Sequence, residues 1–208
     1  ARWGEPVRVK WITERMDANG DGSASFHFPN AERTSTRCYH DHVRRMARLD
    51  VHGGLAGFYL VRSGPGEAVE DTRTGAAGVL PGPAPAPGDR PGTAYYELPI
   101  AIQDRSFDAD GSLFYPDIRA HFDGADGPCA VDPDASPGLS PELFGNTILV
   151  NGRTWPFQVV QKRRYRLRLL NDCQSRFLIL DFGDITGVKV WQIGNESGFL
   201  AAPVNVTG

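Results

Sequence analysis

The chain has 208 residues, with 22 lysines and arginines against 25 acidic residues and a formal net charge of −3. With that near balance and no block of like charge, nothing in the sequence supplies the electrostatic footprint of a nucleic-acid or membrane-surface partner. Hydrophobic residues make up 40% of the chain, enough to build the core of one large or two small domains, and no apolar run approaches the roughly 18 residues of a membrane span.

The 24 glycines and 16 prolines break the chain into short runs rich in Val, Ile, Leu, Phe and Tyr, a pattern that favours strands joined by turns and predicts an all-β fold. The start, Ala1-Arg2-Trp3-Gly4-Glu5, has no basic-then-apolar leader, and with no initiator Met and an abrupt end at Thr207-Gly208 the chain reads as cut at both ends. Cys38, Cys129 and Cys173 are widely spaced, with no Cys-x-x-Cys, and read as free thiols rather than a disulfide framework or a zinc site.

In chain order, Val7-Arg8-Val9-Lys10-Trp11 alternates like a strand and is followed by Asp17-Ala18-Asn19-Gly20-Asp21-Gly22. That run resembles the start of a calcium loop, but its twelfth position, where a bidentate Glu is required, holds Phe28, so it reads as a solvated turn. Ser25-Phe26-His27-Phe28 alternates again, residues 34–42 form the next extended candidate, and after a short helical stretch residues 55–61 read as a buried strand. Residues 63–93 are dominated by Gly, Pro and Ala around Pro81-Gly82-Pro83-Ala84-Pro85-Ala86-Pro87, a composition that predicts an exposed linker.

Residues 95–103 predict a strand, Asp108-Ala109-Asp110-Gly111 a turn, and residues 123–141 a second Gly, Pro and Asp-rich loop. Ile148-Leu149-Val150 followed by Asn151-Gly152 is a hairpin signal, because that dipeptide tolerates the positive φ angles of a type I′ turn. In Arg164-Tyr165-Arg166-Leu167-Arg168-Leu169 the period of two predicts that Tyr165, Leu167 and Leu169 are buried and the arginines solvated. Residues 177–182 and 188–193 complete the predicted strands.

The chemistry concentrates at Tyr39-His40-Asp41-His42. On a strand, residues two apart project to one face with their Cα atoms about 7 Å apart, which suits one imidazole on each of two metal ions, or both on one ion. Imidazole serves copper, zinc, nickel and iron alike, so the spacing alone does not name the metal. A zinc or iron hydrolase built on His40-Asp41-His42 would need further His or carboxylate ligands in a recognisable motif, and none is found.

The wider context is more specific. Tyr39-His40-Asp41-His42, Ala47-Arg48-Leu49-Asp50 and Gly54-Leu55-Ala56-Gly57-Phe58-Tyr59-Leu60 resemble the second copper motif of the multicopper oxidases and the last strand of their first cupredoxin domain. Gln103-Asp104-Arg105-Ser106-Phe107, Asp110-Gly111-Ser112-Leu113-Phe114-Tyr115-Pro116, and Asn146-Thr147-Ile148-Leu149-Val150-Asn151-Gly152 with Trp155-Pro156 are similar to the second cupredoxin domain of the spore-coat laccase, bilirubin oxidase and phenoxazinone synthase branch. The likeness runs from Phe26 to Gly198, with gaps in the two Gly/Pro-rich loops.

This resemblance implies two incomplete cupredoxin-like Greek-key β-sandwich domains: residues 1–62 the end of the first, 63–94 the linker, and 95–208 the start of the second. It implies that His40 and His42 are ligands of a type 3 copper pair, one imidazole to each copper, with Asp41 pointing away in a supporting role. His27, His52 and His121 match no ligand position. Cys38 stands where the family carries a bulky aromatic, Arg44-Arg45 replaces a small residue after the motif, and His52-Gly53 replaces an aromatic-Ala pair. In relatives a His-x-His-Gly motif would precede Ala1, and a third domain with a His-Cys-His motif would follow Gly208, so two of the ligands fall in this chain. The implied activity of the intact enzyme is one-electron oxidation of phenols, aminophenols or bilirubin-like compounds coupled to reduction of O2 to water, with the fragment alone inactive. The alternative is a structural or interaction protein of cupredoxin fold that has lost its copper. Reducing substrate, compartment and oligomeric state are left open.

Overall fold

The computed structural model describes residues 7–10, 23–42, 47–62, 67–70, 75–115 and 142–207. The calcium-like turn, Arg44, Arg45, His121, Cys129 and the loop at 123–141 lie outside the described residues. The described residues form one short helix and a set of strands, so the chain is all-β as its composition predicts.

Strands β1 (Val7–Lys10) and β2 (Ser23–Phe26) pair antiparallel, as do β3 (Ser35–His40) and β4 (Ala56–Val61). Between the latter two lies α1 (Ala47–His52), which ends on Gly53 and Gly54. Gly53 N donates to Leu49 O at 2.8 Å and Gly54 adopts φ +105°, the left-handed exit that glycine permits at a helix end. Strands β5 (Ala68–Glu70) and β6 (Ala77–Val79) form a small antiparallel pair inside the segment read as an exposed linker.

The largest sheet has the order β10-β7-β8-β9 and comprises β7 (Glu97–Arg105), β8 (Thr147–Val150), β9 (Arg153–Thr154) and β10 (Arg166–Asn171). β7 and β10 run parallel, which requires a long connection between them, whereas β8 and β9 are joined by the two-residue turn at Asn151 (φ +50°) and Gly152 (φ +75°). The Asn151 side chain accepts from Ala101 N and donates to Pro99 O, both at 2.9 Å, tying the turn to β7. Strands β11 (Trp191–Asn195) and β12 (Gly198–Asn205) make a final antiparallel pair near β3; β12 is not foreshadowed by the sequence pattern, and residues 177–182 form no strand. Among the described residues no helix is long and apolar enough to cross a membrane.

The orientation of β10 reverses the expectation. Arg166 and Arg168 are buried, with Arg168 3% exposed, while Leu167 and Leu169 are 40% and 42% exposed. The arginines face inward because two carboxylates from elsewhere in the chain meet them there. Glu97 Oε1 accepts from Arg168 Nε at 2.6 Å and from Arg62 Nη2 at 2.5 Å, and Glu97 Oε2 accepts from Arg62 Nη1 at 3.0 Å. Glu67, 2% exposed, accepts from Arg166 Nη1 and, at 3.2 Å, from Arg168 Nη2. Arg168 Nη1 also reaches Thr36 Oγ1 of β3 at 2.5 Å. A buried guanidinium is tolerated only when paired and hydrogen-bonded, and here Arg168 spends its donors on three different segments.

Among the described residues the buried apolar side chains are Val61, Ile102 and Leu143, so polar contacts dominate the interior seam between β3–β4 and the β7 sheet. Asp104, 1% exposed, accepts from Gly145 N at 2.8 Å, Gln174 N at 3.1 Å and Arg176 Nε at 3.2 Å. Arg105 Nη2 donates to Val51 O of α1 at 2.9 Å, and Gln174 Nε2 to Arg48 O at 2.9 Å.

Candidate metal centre

β3 ends at His40, and its register opposite β4 pairs Cys38 with Phe58, Tyr39 with Gly57 and His40 with Ala56. The Tyr39 ring lies across Gly57, where an added Cβ would come within 2.9 Å of its hydroxyl, so a side chain here would make the exposed tyrosine ring move aside. The strand ends at His40, and beyond it the His42 ring packs against the His40 ring. The two imidazoles stack with centroids 4.1 Å apart and planes 28° from parallel, and both residues are exposed.

His40 Nδ1 lies 2.8 Å from Asp41 O. A carbonyl only accepts, so this bond places the proton on Nδ1 and leaves the Nε2 lone pair free to ligate. Asp41 is engaged with Asp50 of α1, whose carboxyl is pushed up by desolvation and by the hydrogen bond and charge of Asp41. Cys38 is exposed and free.

Asp172 is a neighbour that the sequence pattern did not single out. It follows β10, is buried, accepts from Gln103 Nε2 at 2.5 Å, and its backbone N donates to Ile102 O at 2.8 Å. Burial pushes its carboxyl up, opposed by the Gln103 hydrogen bond and by the charges of Arg105 and His40. A carboxyl that holds its proton more tightly than usual therefore lies within electrostatic reach of His40.

The other thiol and the other described histidines have different surroundings. Cys173 is half-buried with Sγ 3.6 Å from Ile102 O, and its thiol is pushed up to about 11 by burial and by Asp104. His27 is exposed. His52 is buried, donates from Nε2 to Phe114 O at 3.1 Å and meets the Tyr115 ring edge-on at 5.2 Å, the arrangement of a core histidine. Among the described residues no group of three or more His, Cys, Asp or Glu side chains could hold a metal ion, so this stretch offers a pair of imidazoles and not a closed site.

No family model matches the chain. Curated relatives do. A laccase of Bacillus stratosphericus is 34% identical over 197 residues, 94% of this chain and 33% of the relative. A laccase of Bacillus subtilis (strain 168) is 32% identical over 87% of this chain and 29% of the relative, and multicopper oxidase LPR1 of Arabidopsis thaliana is 31% identical over 93% and 28%. Among solved structures, the 2F4 variant of the multicopper oxidase McoA of Aquifex aeolicus superposes with a TM-score of 0.58 at 25% identity, covering 89% of this chain and 34% of that one. The chain thus spans about a third of the length of the relatives it matches.

Proposed function

We propose, from the premise that this chain is homologous over most of its length to about a third of a multicopper oxidase, that it forms the part of a laccase-like enzyme that presents His40 and His42 to a type 3 copper pair. The observation that carries this reading is the stacked, exposed pair of imidazoles at the end of β3. The donor set fits the metal: imidazole is a good copper ligand, and the Asp41 carbonyl fixes the tautomer of His40 so that Nε2 is available.

In this reading residues 1–62 belong to the first cupredoxin domain, 63–94 connect, and 95–208 begin the second. His40 and His42 would each hold one copper, and the remaining ligands come from outside this stretch. When bound, copper supplies the one-electron redox steps that couple oxidation of a small phenolic, aminophenolic or bilirubin-like donor to reduction of O2 to water. The chain's own residues orient the donors: the β3–β4 register fixes His40, His42 stacks on it beyond the strand end, and Asp172 places a carboxyl within electrostatic reach of His40.

The test is made on the whole polypeptide. His40→Asn and His42→Asn are each compared with the parent for bound copper by elemental analysis and for O2 uptake with a phenolic donor. Each substitution is expected to lower copper occupancy by at least one ion and O2 uptake by about 100-fold or more, the scale of losing a metal ligand or its support. Full copper and undiminished turnover in both variants would refute the ligand roles, and a parent polypeptide without copper would favour the copper-free cupredoxin alternative.

A further inference from the structure

The Gly/Pro-rich segment has two feet, and both stand on one buried ion cluster. The first is Glu67, which lies just ahead of β5, is 2% exposed and adopts φ +42°, a backbone conformation that a non-glycine residue holds only under restraint. Its carboxylate takes Arg166 Nη1 and both hydrogen bonds from Arg168 Nη2, and Arg62 Nη1 approaches within 3.6 Å. The second foot is Pro83, whose carbonyl accepts from Tyr96 N at 3.1 Å and Glu97 N at 3.2 Å. Tyr96 O in turn accepts from Arg166 N at 2.8 Å, so the two feet are joined through Arg166 and Glu97.

The cluster also reaches the candidate metal centre's hairpin. Arg168 holds Thr36 of β3, four residues before His40, with the same guanidinium that holds Glu67 and Glu97. Arg62, just beyond β4, is bound bidentately by Glu97. The β3–β4 hairpin is therefore tied at Thr36 and Arg62 to a cluster that Glu67 closes from the linker side.

We propose that Glu67 is an ionic latch: it clamps residues 67–70 and 75–83 as a strap beside the seam and, through Arg168, holds the β3–β4 hairpin that carries His40 and His42 in fixed position against β7 and β10. Glu67 is a positioning residue, acting through Arg166 and Arg168 and touching neither imidazole. The strap stays closed because the latch is buried, where the ion pairs are weakly screened by salt. Opening it requires the loss of Glu67's charge rather than a change in ionic strength. The inference stands on the ion cluster and does not depend on copper.

The test is hydrogen–deuterium exchange, read by mass spectrometry on peptides of the full polypeptide, for the parent, Glu67→Gln and Arg62→Gln. The parent is expected to protect residues 67–70 and 75–83 well above an unstructured peptide. Glu67→Gln is expected to speed exchange in 67–70, 75–83 and 35–40 by about tenfold or more while the β8–β9 turn region, 147–154, stays within about twofold, since local opening and global unfolding separate in this readout. Arg62→Gln removes a half-exposed partner and should leave 67–70 and 75–83 closed. Three results would each overturn the latch: unchanged exchange in Glu67→Gln, equal acceleration in 147–154, or a strap already exchanging freely in the parent. The last holds even if the variant fails to fold.

Discussion

Glu97→Gln is the sharpest probe of the polar seam. The substitution keeps the shape of the side chain and removes one charge from a cluster of three arginines, Arg62, Arg166 and Arg168, facing two carboxylates, Glu67 and Glu97. Without Glu97 the cluster holds Glu67 alone against three cations. Arg62 is 35% exposed and can turn to solvent, but Arg166 and Arg168 cannot. The Arg166 guanidinium is already pushed down to about 10 by burial and by its neighbours Arg168 and Arg62. Breaking a buried pair by removing one partner costs about 3–5 kcal/mol, and the excess of arginine places Glu97→Gln within that range rather than below it. Arg62→Gln, at the exposed rim, should cost about 1 kcal/mol or less.

The assay is urea unfolding of parent and variant, followed by tryptophan fluorescence from pH 3 to 8. With a slope of about 2 kcal/mol per molar urea, the loss corresponds to a midpoint lower by about 1.5–2.5 M. The pH dependence gives an independent check. Burial alone would push the Glu97 carboxyl up, but the hydrogen bonds and charges of Arg62 and Arg168 outweigh it and hold the carboxyl below its ordinary value of 4.5. A depressed folded-state value means that the unfolded chain binds the proton first, so this contribution is complete above about pH 4.5 and drains away as the pH falls through the lower folded-state value. The Gln variant lacks that titration and should show a flatter curve in the window. A midpoint within about 0.5 M of the parent at pH 7, or an identical acid profile, would refute the reasoning.

Three further outcomes are expected. In Gly145→Ala the new Cβ would collide with the backbone N, C and O of Arg105 while Asp104 holds the Gly145 amide, so unfolding free energy should fall by about 3 kcal/mol, read from the same urea midpoint. Asn151→Ala removes the two bonds to β7 and places alanine at φ +50°, costing about 2 kcal/mol and loosening the β8–β9 turn in hydrogen exchange. His52 is held below its ordinary value of 6.5 by burial and by Arg105, so the unfolded chain takes up its proton first and stability should decline as the pH drops below about 6.5. His52→Gln should abolish that decline, and a parent stability that is flat from pH 7 to 5 would contradict it.

The parts of the fold legible in the sequence are those set by local chemistry. Asn151-Gly152 announces its turn because few other dipeptides accept two positive φ angles, and residues 55–61 and 95–103 announce β4 and β7 because both are apolar runs bounded by breakers. β10 shows the limit of this reasoning. A period of two states which residues share a face but not which face turns inward, and hydropathy alone chose Leu167 and Leu169. The choice was made instead by Glu67 and Glu97, which lie 99 and 71 residues from the arginines they bind and carry no local signature. The same distance hid the burial of Glu67: a Gly/Pro-rich composition describes a segment that cannot bury an apolar face, yet this carboxylate within it is buried against two arginines.

The candidate metal centre divides along the same line. The His40-x-His42 spacing supplies the proximity of the two imidazoles, although the strand it assumes ends at His40 and does not continue through Asp41. Beyond His40, the last residue of β3 in register with β4, the Asp41 carbonyl lies 2.8 Å from His40 Nδ1 and the Asp41 side chain engages Asp50. Asp172 enters from the far end of the chain by way of β10, whose parallel pairing with β7 is in turn fixed by the buried arginines. The ion cluster is thus connected to the histidines through Thr36 of β3, although it contacts neither of them. A substitution that frees β10 from Glu97 should therefore alter the environment of His40 before it alters the fold of β3 and β4.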